Sequence, residues 1–312
     1  MSVDLGTTQR APVAVKKIEG RSPWALGWQR LRRDKVAMIS LVVIGLICLV
    51  AVFAPVFANL TGHPPNEQYR QIGLSPEGLP RPPSSTFWFG TDDLGRDVLV
   101  RVAYGARVSL GVGVLATLLT VSLGVVLGVV AGFLGGVVDT LLARLVDMIL
   151  ALPFLLAAIA LVSITGPSLS VTIFVIGFFS SASVARIVRG QVLSIKEREY
   201  VEAARSLGAG DLRIMFVDIL PNVMAPVIVY TTLLIPVVIA VQATLSFLGL
   251  GLPPPTADWG GMISTAQNYY RTSWWFIAFP GAALLITTLA FNLFGDGVRD
   301  AFDPRIDRLL AG

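Results

Sequence analysis

Charged residues, cysteine and histidine are all scarce in this chain of 312 residues. Asp, Glu, Lys and Arg make up 14% of it, against about 25% in an ordinary soluble domain. Hydrophobic residues make up 54%, and the mean hydropathy is +0.74. So little charge cannot cover a soluble globule of this size, which excludes a soluble enzyme and a disordered chain. The single cysteine, Cys48, has no disulfide partner, and the single histidine, His63, cannot form a metal site alone.

Lysine is also rare, and its positions exclude ATP hydrolysis by a phosphate-binding loop. Such a loop needs Lys followed by Ser or Thr. The four lysines are followed by Lys, Ile, Val and Glu; they are Lys16, Lys17, Lys35 and Lys196. No His–Glu metal spacing occurs, and a nucleophilic serine would have no base. We therefore expect a non-catalytic chain with no cofactor or metal of its own.

Long windows without a formal charge dominate the sequence instead. A transmembrane helix needs about 20 apolar residues, and glycine and proline divide the longest windows. The pattern predicts an all-α membrane protein with six spans near 36–58, 108–134, 141–164, 170–192, 225–248 and 276–296. The first run is longer than the core of a signal peptide, so we interpret it as a retained anchor rather than a cleaved signal.

Ion-coupled carriers usually place ionisable groups near the midplane, and these spans have almost none. We interpret Asp139, Arg144 and Asp147 as an interfacial charge group rather than a proton relay.

The positions of Lys and Arg predict the orientation, because short cytoplasmic loops are enriched in them. One side of the six-span arrangement would hold 18 of the 24. The other side would hold Arg70, Arg81, Arg96, Arg101, Arg107 and Arg271. Both termini are therefore expected in the cytoplasm, and the net charge of +4 reflects topology, so no nucleic-acid partner is expected. An outer interfacial belt would comprise Trp88, Trp259, Trp274 and Trp275.

The segments flanking the spans have their own patterns. Residues 1–21 are predicted to be a disordered basic tail, and 299–312 a cytoplasmic C-terminal tail. Residues 22–35 resemble a short amphipathic helix lying in the membrane plane, although a basic flank that only sets topology is the alternative. Residues 59–105 are predicted to form an extracytoplasmic loop, solvated in its first half, and 106–298 a core domain of five spans. Four close-set charges in the loop could pair with one another: Asp92, Asp93, Arg96 and Asp97.

The second span carries four glycines at a spacing of four: Gly124, Gly128, Gly132 and Gly136. Helices in lipid associate through close backbone approach at small residues. The stripe is therefore predicted to face another helix, which could belong to this chain or to a partner subunit.

A polar segment between the fourth and fifth spans is the most informative part of the chain. Residues 186–218 hold six basic and five acidic side chains, too many to bury at about 2.5–3.5 kcal/mol each. One helical face would carry Tyr200, Ala203, Ala204 and Leu207. Gly208 would end this helix, Asp211 would cap a second one, and Pro221 would close that turn before the next span. This helix–glycine–helix elbow, within a cytoplasmic segment at 197–222, either docks another protein or packs as a solvated loop on its own bundle.

The sequence EYVEAARSLGAGDLRIMFVDILPN at 199–222 resembles the cytoplasmic EAA loop of bacterial ABC importer permeases. The matching positions are Glu202, Ala203, Ala204, Gly208, Leu220 and Pro221. Three further blocks are WALGWQRLRRDKVAMISLVVIGLICLVAVFAP, GTDDLGRDVLVRVAYGARVSLGVG and LAFNLFGDGVRDAFDPR. They make residues 22–305 similar to the C-type permease subunit of the dipeptide, oligopeptide and nickel importers. Asp218 departs from the pattern, since relatives typically carry His or another polar residue there, and we expect a local change in cytoplasmic contacts.

The resemblance implies a type I ABC importer permease fold in the bacterial inner membrane. A related B-type permease would complete the translocation pathway, two ABC ATPase subunits would carry ATP and Mg, and an extracytoplasmic binding protein would deliver substrate. The six matching residues of the elbow would then couple this chain to an ATPase subunit. Di- or oligopeptides are the implied cargo. Nickel, glutathione or haem on the same architecture stay open, as does an ATP-independent channel or carrier.

Overall fold

The computed structural model describes residues 23–302, in which every regular element is helical. The predicted tail at 1–21 and the last ten residues lie outside this range. The α-helices are α1 (Pro23–Leu31), α2 (Lys35–Val52), α3 (Ala54–Thr61), α4 (Arg70–Gly73), α5 (Val98–Leu134), α6 (Gly136–Ala151), α7 (Phe154–Thr165), α8 (Leu169–Ile195), α9 (Glu199–Ser206), α10 (Asp211–Arg213), α11 (Leu220–Phe247), α12 (Trp259–Ala266) and α13 (Trp274–Phe302). A π-helix, Ile214–Ile219, joins α10 to α11, and a 3₁₀-helix, Gln267–Tyr269, follows α12.

Five helical stretches in the described range are long and apolar enough to cross a membrane, and one bent pair would be a sixth span. The five are α2, α5, α8, the continuous stretch from α10 to α11, and α13. The pair is α6 and α7, whose axes differ by 88°. The prediction of an all-α membrane protein is therefore confirmed, with five or six candidate spans where six were predicted.

The third span was predicted as one helix at 141–164, and this is wrong. The helix stops at Ala151, Leu152 is extended, and Pro153 precedes α7. A residue before proline is disfavoured in the α region, and proline has no N–H to continue the helix. The chain therefore turns sharply inside the predicted span.

Two other predicted boundaries differ from the structure. Helix α5 already begins at Val98, because the Asp97 carboxylate accepts hydrogen bonds from the N–H groups of Leu99 and Val100, which is an N-cap. The predicted division between residues 105 and 106 thus lies inside a helix. At the other end α13 continues to Phe302, past the predicted start of the C-terminal tail.

The predicted amphipathic helix corresponds to α1, which packs on the end of α13. Leu31 is buried in a cluster with Ala37, Val298 and Ala301, while Trp28 is half exposed with the Arg32 guanidinium over its ring. The segment is therefore a packed helix rather than only a basic flank.

Helices α5 and α8 pack closely along the glycine stripe. A Cβ atom added to Gly124 or Gly128 would lie 2.5 or 2.6 Å from the Cβ of Val184 or Val188, and one on Gly132 would lie 2.8 Å from that of Val192. The helix that faces these three glycines belongs to this chain. Gly136 is different, and its inclusion in the stripe was wrong. It begins α6 with φ +54°, and no heavy atom beyond its neighbours would lie within 4 Å of an added Cβ.

Candidate functional site

The elbow predicted between the fourth and fifth spans is a helix, a left-handed turn and a second helical segment. Helix α9 ends in a Schellman motif: the N–H of Gly208 bonds to the carbonyl of Arg205, and that of Ala209 to the carbonyl of Ala204, both at 3.0 Å. Gly208 has φ +82°, a conformation that costs little only for glycine. The helix thus ends where its sequence predicts.

The elbow stands on a buried apolar base. Val201, Ile214, Ile219 and Val223 are all fully buried and cluster with side chains of α8, including Val192. This base joins the elbow to the membrane-spanning bundle. The elbow is therefore fixed to α8 and α11 rather than suspended as a solvated loop.

The predicted small-residue face of α9 is mostly turned away from the bundle. Ala203 and Glu202 are exposed, Ala204 is partly buried, and Leu207 is 89% exposed. The face that packs on the bundle is the one carrying Val201. Since the alanine face is left open, the arrangement favours docking of another protein over packing on the chain's own helices.

The second half of the elbow differs from its prediction. Asp211 does not cap the helix, since Gly210 precedes it; Asp211 instead lies in the first turn, where the helix dipole favours a carboxylate. Pro221 does not close the segment, because it lies in the first turn of α11 and the chain stays helical from residue 211 to 247. The motion of the elbow is therefore tied to that of α11.

The π-helix between α10 and α11 has a local cause. Pro221 has no N–H to donate, and the N–H of Leu220 bonds to the carbonyl of Met215, five residues back. The side-chain amide of Asn222 donates to the carbonyl of Asp218 at 2.7 Å. Leu220 and Asp218 are partly buried and Pro221 is exposed.

Several apolar side chains of the elbow are exposed. We call this set the elbow surface: Ala203, Leu207, Leu212, Phe216 and Val217. Leu212 is 71% exposed, and Phe216 and Val217 are each more than half exposed. An exposed apolar patch next to charged residues is typical of a surface that binds another protein. Sequence reasoning did not identify Val217 on this surface; it lies in the π-helix Ile214–Ile219, which was not predicted.

Ion pairs fasten the bent third span to α8 at the end of the bundle that carries the elbow. Arg189 binds Asp139 through two hydrogen bonds, and Arg186 Nη2 lies 2.8 Å from Asp147 Oδ1. Lys196 donates to the carbonyl of Gly132 at 3.2 Å. The two carboxylates that the sequence placed in an interfacial charge group therefore each have an arginine partner.

The opposite end of the bundle carries a folded charge network where a loop was predicted. Arg96 Nε lies 2.6 Å from Asp92 Oδ2, so these two residues pair as predicted, and Arg101 Nε lies 3.3 Å from the same oxygen. Asp97 contacts His63 instead, with 2.9 Å between Oδ2 and Nδ1. Burial, and secondarily the charge of Asp92, raises the pKa of Asp93 above its ordinary value. Within residues 23–302 no group of His, Cys, Asp and Glu side chains could hold a metal ion.

Comparison with known families and relatives agrees with this architecture. Residues 124–308 match the family described as the binding-protein-dependent transport system inner membrane component, and residues 22–76 match the N-terminal transmembrane domain of oligopeptide transport permease C. The chain is 41% identical over 302 residues to the di/tripeptide transport system permease protein DppC of Pseudomonas aeruginosa, covering 97% of this chain and 99% of that protein. It is 44% identical over 279 residues to the dipeptide transport system permease protein DppC of Escherichia coli K12, covering 89% and 92%.

A bundle of spanning helices with an EAA-type elbow defines the class of ABC importer permeases. This chain belongs to the family of binding-protein-dependent transport system inner membrane components. Within that family it is a C-type permease of the dipeptide and oligopeptide group.

Proposed function

We propose that this chain forms one half of the translocation pathway of an ATP-driven peptide importer and couples that pathway to a separate ATPase through its elbow. The relatives named as dipeptide and di/tripeptide permeases support a peptide cargo. The observation that carries the coupling role is the combination of an open apolar elbow surface with a fully buried base.

The elbow works as a rigid lever in this proposal. Ala203 and Ala204 allow close approach of an ATPase groove, Glu202 offers it a charge, and Gly208 sets the angle between the two arms. Leu220 and Pro221 begin α11, so a displacement of the elbow moves that span directly.

In this proposal the energy for transport comes from partner subunits. ATP and Mg would bind two ABC ATPase subunits, and nucleotide can drive the cycle only because it binds their closed state better. The coupling between nucleotide and substrate must then be reciprocal. A related B-type permease completes the pathway, and an extracytoplasmic binding protein delivers the peptide.

The orientation belongs to the same proposal. With both termini in the cytoplasm, the elbow and the ion pairs of Arg186 and Arg189 lie on the side that holds most of the Lys and Arg residues, as cytoplasmic segments do. The network around Asp92 then faces the binding protein.

Ala203→Asp tests the coupling role, because it adds charge to an exposed residue of the elbow surface that is not part of the buried base. We expect the complex to insert normally but to lose peptide-stimulated ATP hydrolysis or the ATPase subunits themselves. Gln191→Asp, an exposed change on α8, is the control and should keep both. Normal peptide-stimulated hydrolysis in the Ala203→Asp complex would overturn the assignment of the elbow.

A further inference from the structure

The break between α2 and α3 releases two backbone carbonyl groups at membrane depth. Pro55 has no N–H, so the carbonyl of Ala51 loses its donor four residues on. The N–H of Val56 bonds to the carbonyl of Phe53 at 2.9 Å, which leaves the carbonyl of Val52 without its own donor. Backbone groups cannot stay unpaired in hydrocarbon.

Arg107 of α5 supplies both missing donors. Its Nε donates to the carbonyl of Ala51 at 2.7 Å, and its Nη2 to that of Val52 at 3.0 Å. The guanidinium also lies over the Tyr104 ring, 5.6 Å from its centroid. These partners are all neutral, and among the described residues no carboxylate lies within 4.0 Å of the guanidinium. The positive charge of Arg107 therefore has no ionic partner among the described residues.

An apolar groove of about 380 Å³ runs from Arg107 between α2 and α5. Its remaining lining residues are Cys48, Ala51, Val52, Leu110, Gly111, Val114 and Leu115. Gly111 keeps the groove open, since an added Cβ would have no heavy atom within 4 Å. Val52, Val114 and Leu115 are exposed, so the groove opens on the outer surface of the bundle.

We propose that this groove binds a phospholipid with an anionic headgroup. Its phosphate pairs with Arg107 and one acyl chain lies along Leu110, Gly111 and Val114. Arg107 directly precedes the apolar run at 108–134, so it lies near one edge of the membrane. At that depth a long basic side chain reaches the lipid headgroups. Phosphate oxygens are strong acceptors for guanidinium N–H groups, and an anionic lipid supplies a negative charge that residues 23–302 do not place beside Arg107. The lipid belongs to the leaflet on the side of the Asp92 network.

Photolabelling of the complete importer tests this site. The complex is placed in nanodiscs of phosphatidylcholine with phosphatidylglycerol that carries a photoreactive acyl chain, and the labelled peptides are identified by mass spectrometry. We expect label on the segments 48–52 and 110–115. Arg107→Gln removes the charge and should reduce that label about tenfold or more, whereas Arg107→Lys should keep most of it.

Gly111→Leu fills the groove and leaves the hydrogen bonds of Arg107 intact. It therefore tests the lipid site even if the complex with Arg107→Gln fails to assemble. Gly45→Leu is the matched control, because Gly45 is an exposed glycine of α2 with equally open space around it. Loss of label in Gly111→Leu but not in Gly45→Leu supports the site. Equal labelling by photoreactive phosphatidylcholine, label unaffected by Gly111→Leu, or a Gly111→Cys residue that cross-links to the partner permease would each overturn it.

Discussion

Arg189 of α8 and Asp139 of α6 form a bidentate ion pair, with Arg189 Nη2 2.7 Å from Asp139 Oδ2. The two residues are 50 positions apart, and their contact holds the first arm of the bent third span against α8. Both side chains are partly exposed, so screening by water weakens the electrostatic attraction of the pair without abolishing it.

A double-mutant cycle measures this contact. We expect Asp139→Asn and Arg189→Gln each to lower the free energy of unfolding, with a coupling of about 1 kcal/mol between them, because the geometry is bidentate but not fully buried. Denaturation in mixed micelles provides the measurement. Strictly additive effects would show that the pair contributes nothing.

Gly128→Ala tests the packing of α5 on α8. The added Cβ would lie 2.6 Å from the Cβ of Val188 and 2.7 Å from the backbone carbonyl oxygen of Ala185, so the helices must separate. We expect a loss of about 1–3 kcal/mol in the free energy of unfolding. Gly111→Ala on the same helix meets no atom within 4 Å and should be neutral or stabilising. Equal effects of the two changes would contradict the close approach.

Gly208→Val tests the turn of the elbow. An added Cβ would have no heavy atom within 4 Å, but φ is +82°, and a branched residue there costs about 1–2 kcal/mol. We expect the elbow to lose its shape and peptide-stimulated ATP hydrolysis to fall. Gly210→Val is the control, because Gly210 has φ −70° and equally open surroundings. Full stimulation in Gly208→Val would show that the angle of the elbow does not matter.

Asp97→Ala tests the network at the opposite end. It removes the N-cap of α5, worth about 1 kcal/mol, and also leaves His63 buried without its partner, which adds about 1–3 kcal/mol. Asp34→Ala removes only a cap, that of α2, and should cost less. A thermal unfolding series of the two variants compares them. The same loss of stability in both would mean that the contact with His63 is unimportant.

Local signals in the sequence predicted the features that depend on neighbouring residues. The hydrophobic runs predicted the spans, and Gly208 predicted the end of α9. The spacing of Gly124 and Gly128 indicated close helix packing. Each of these follows from backbone conformation or from the length of an apolar run, which a sequence displays directly.

The features that the sequence did not predict depend on contacts between distant segments. The break at Pro153 was not predicted, since the surrounding residues form one apolar run, and the contact of Asp139 with Arg189 of α8 joins residues 50 positions apart. Pro221 looked like a helix end but was accommodated by a π-helix. The contact of Arg101 with Asp92 was not predicted either, because Arg101 lies outside the four close-set charges and meets Asp92 only in the folded structure.

Uptake assays in cells that lack only this gene test which cargo the importer carries. We expect uptake of a radiolabelled dipeptide to fall sharply, while uptake of nickel, glutathione and haem stays unchanged. Restoring the chain on a plasmid should restore dipeptide uptake. A loss of nickel uptake with dipeptide uptake preserved would assign the importer to a different substrate.

Transport by purified subunits in proteoliposomes tests the central claim most directly, namely that the pathway lies in this chain and its permease partner while the motor is a separate polypeptide. We predict that labelled dipeptide accumulates only when both permeases, the ATPase subunits, the binding protein and ATP are all present. Accumulation by this chain alone, without nucleotide, would contradict the account.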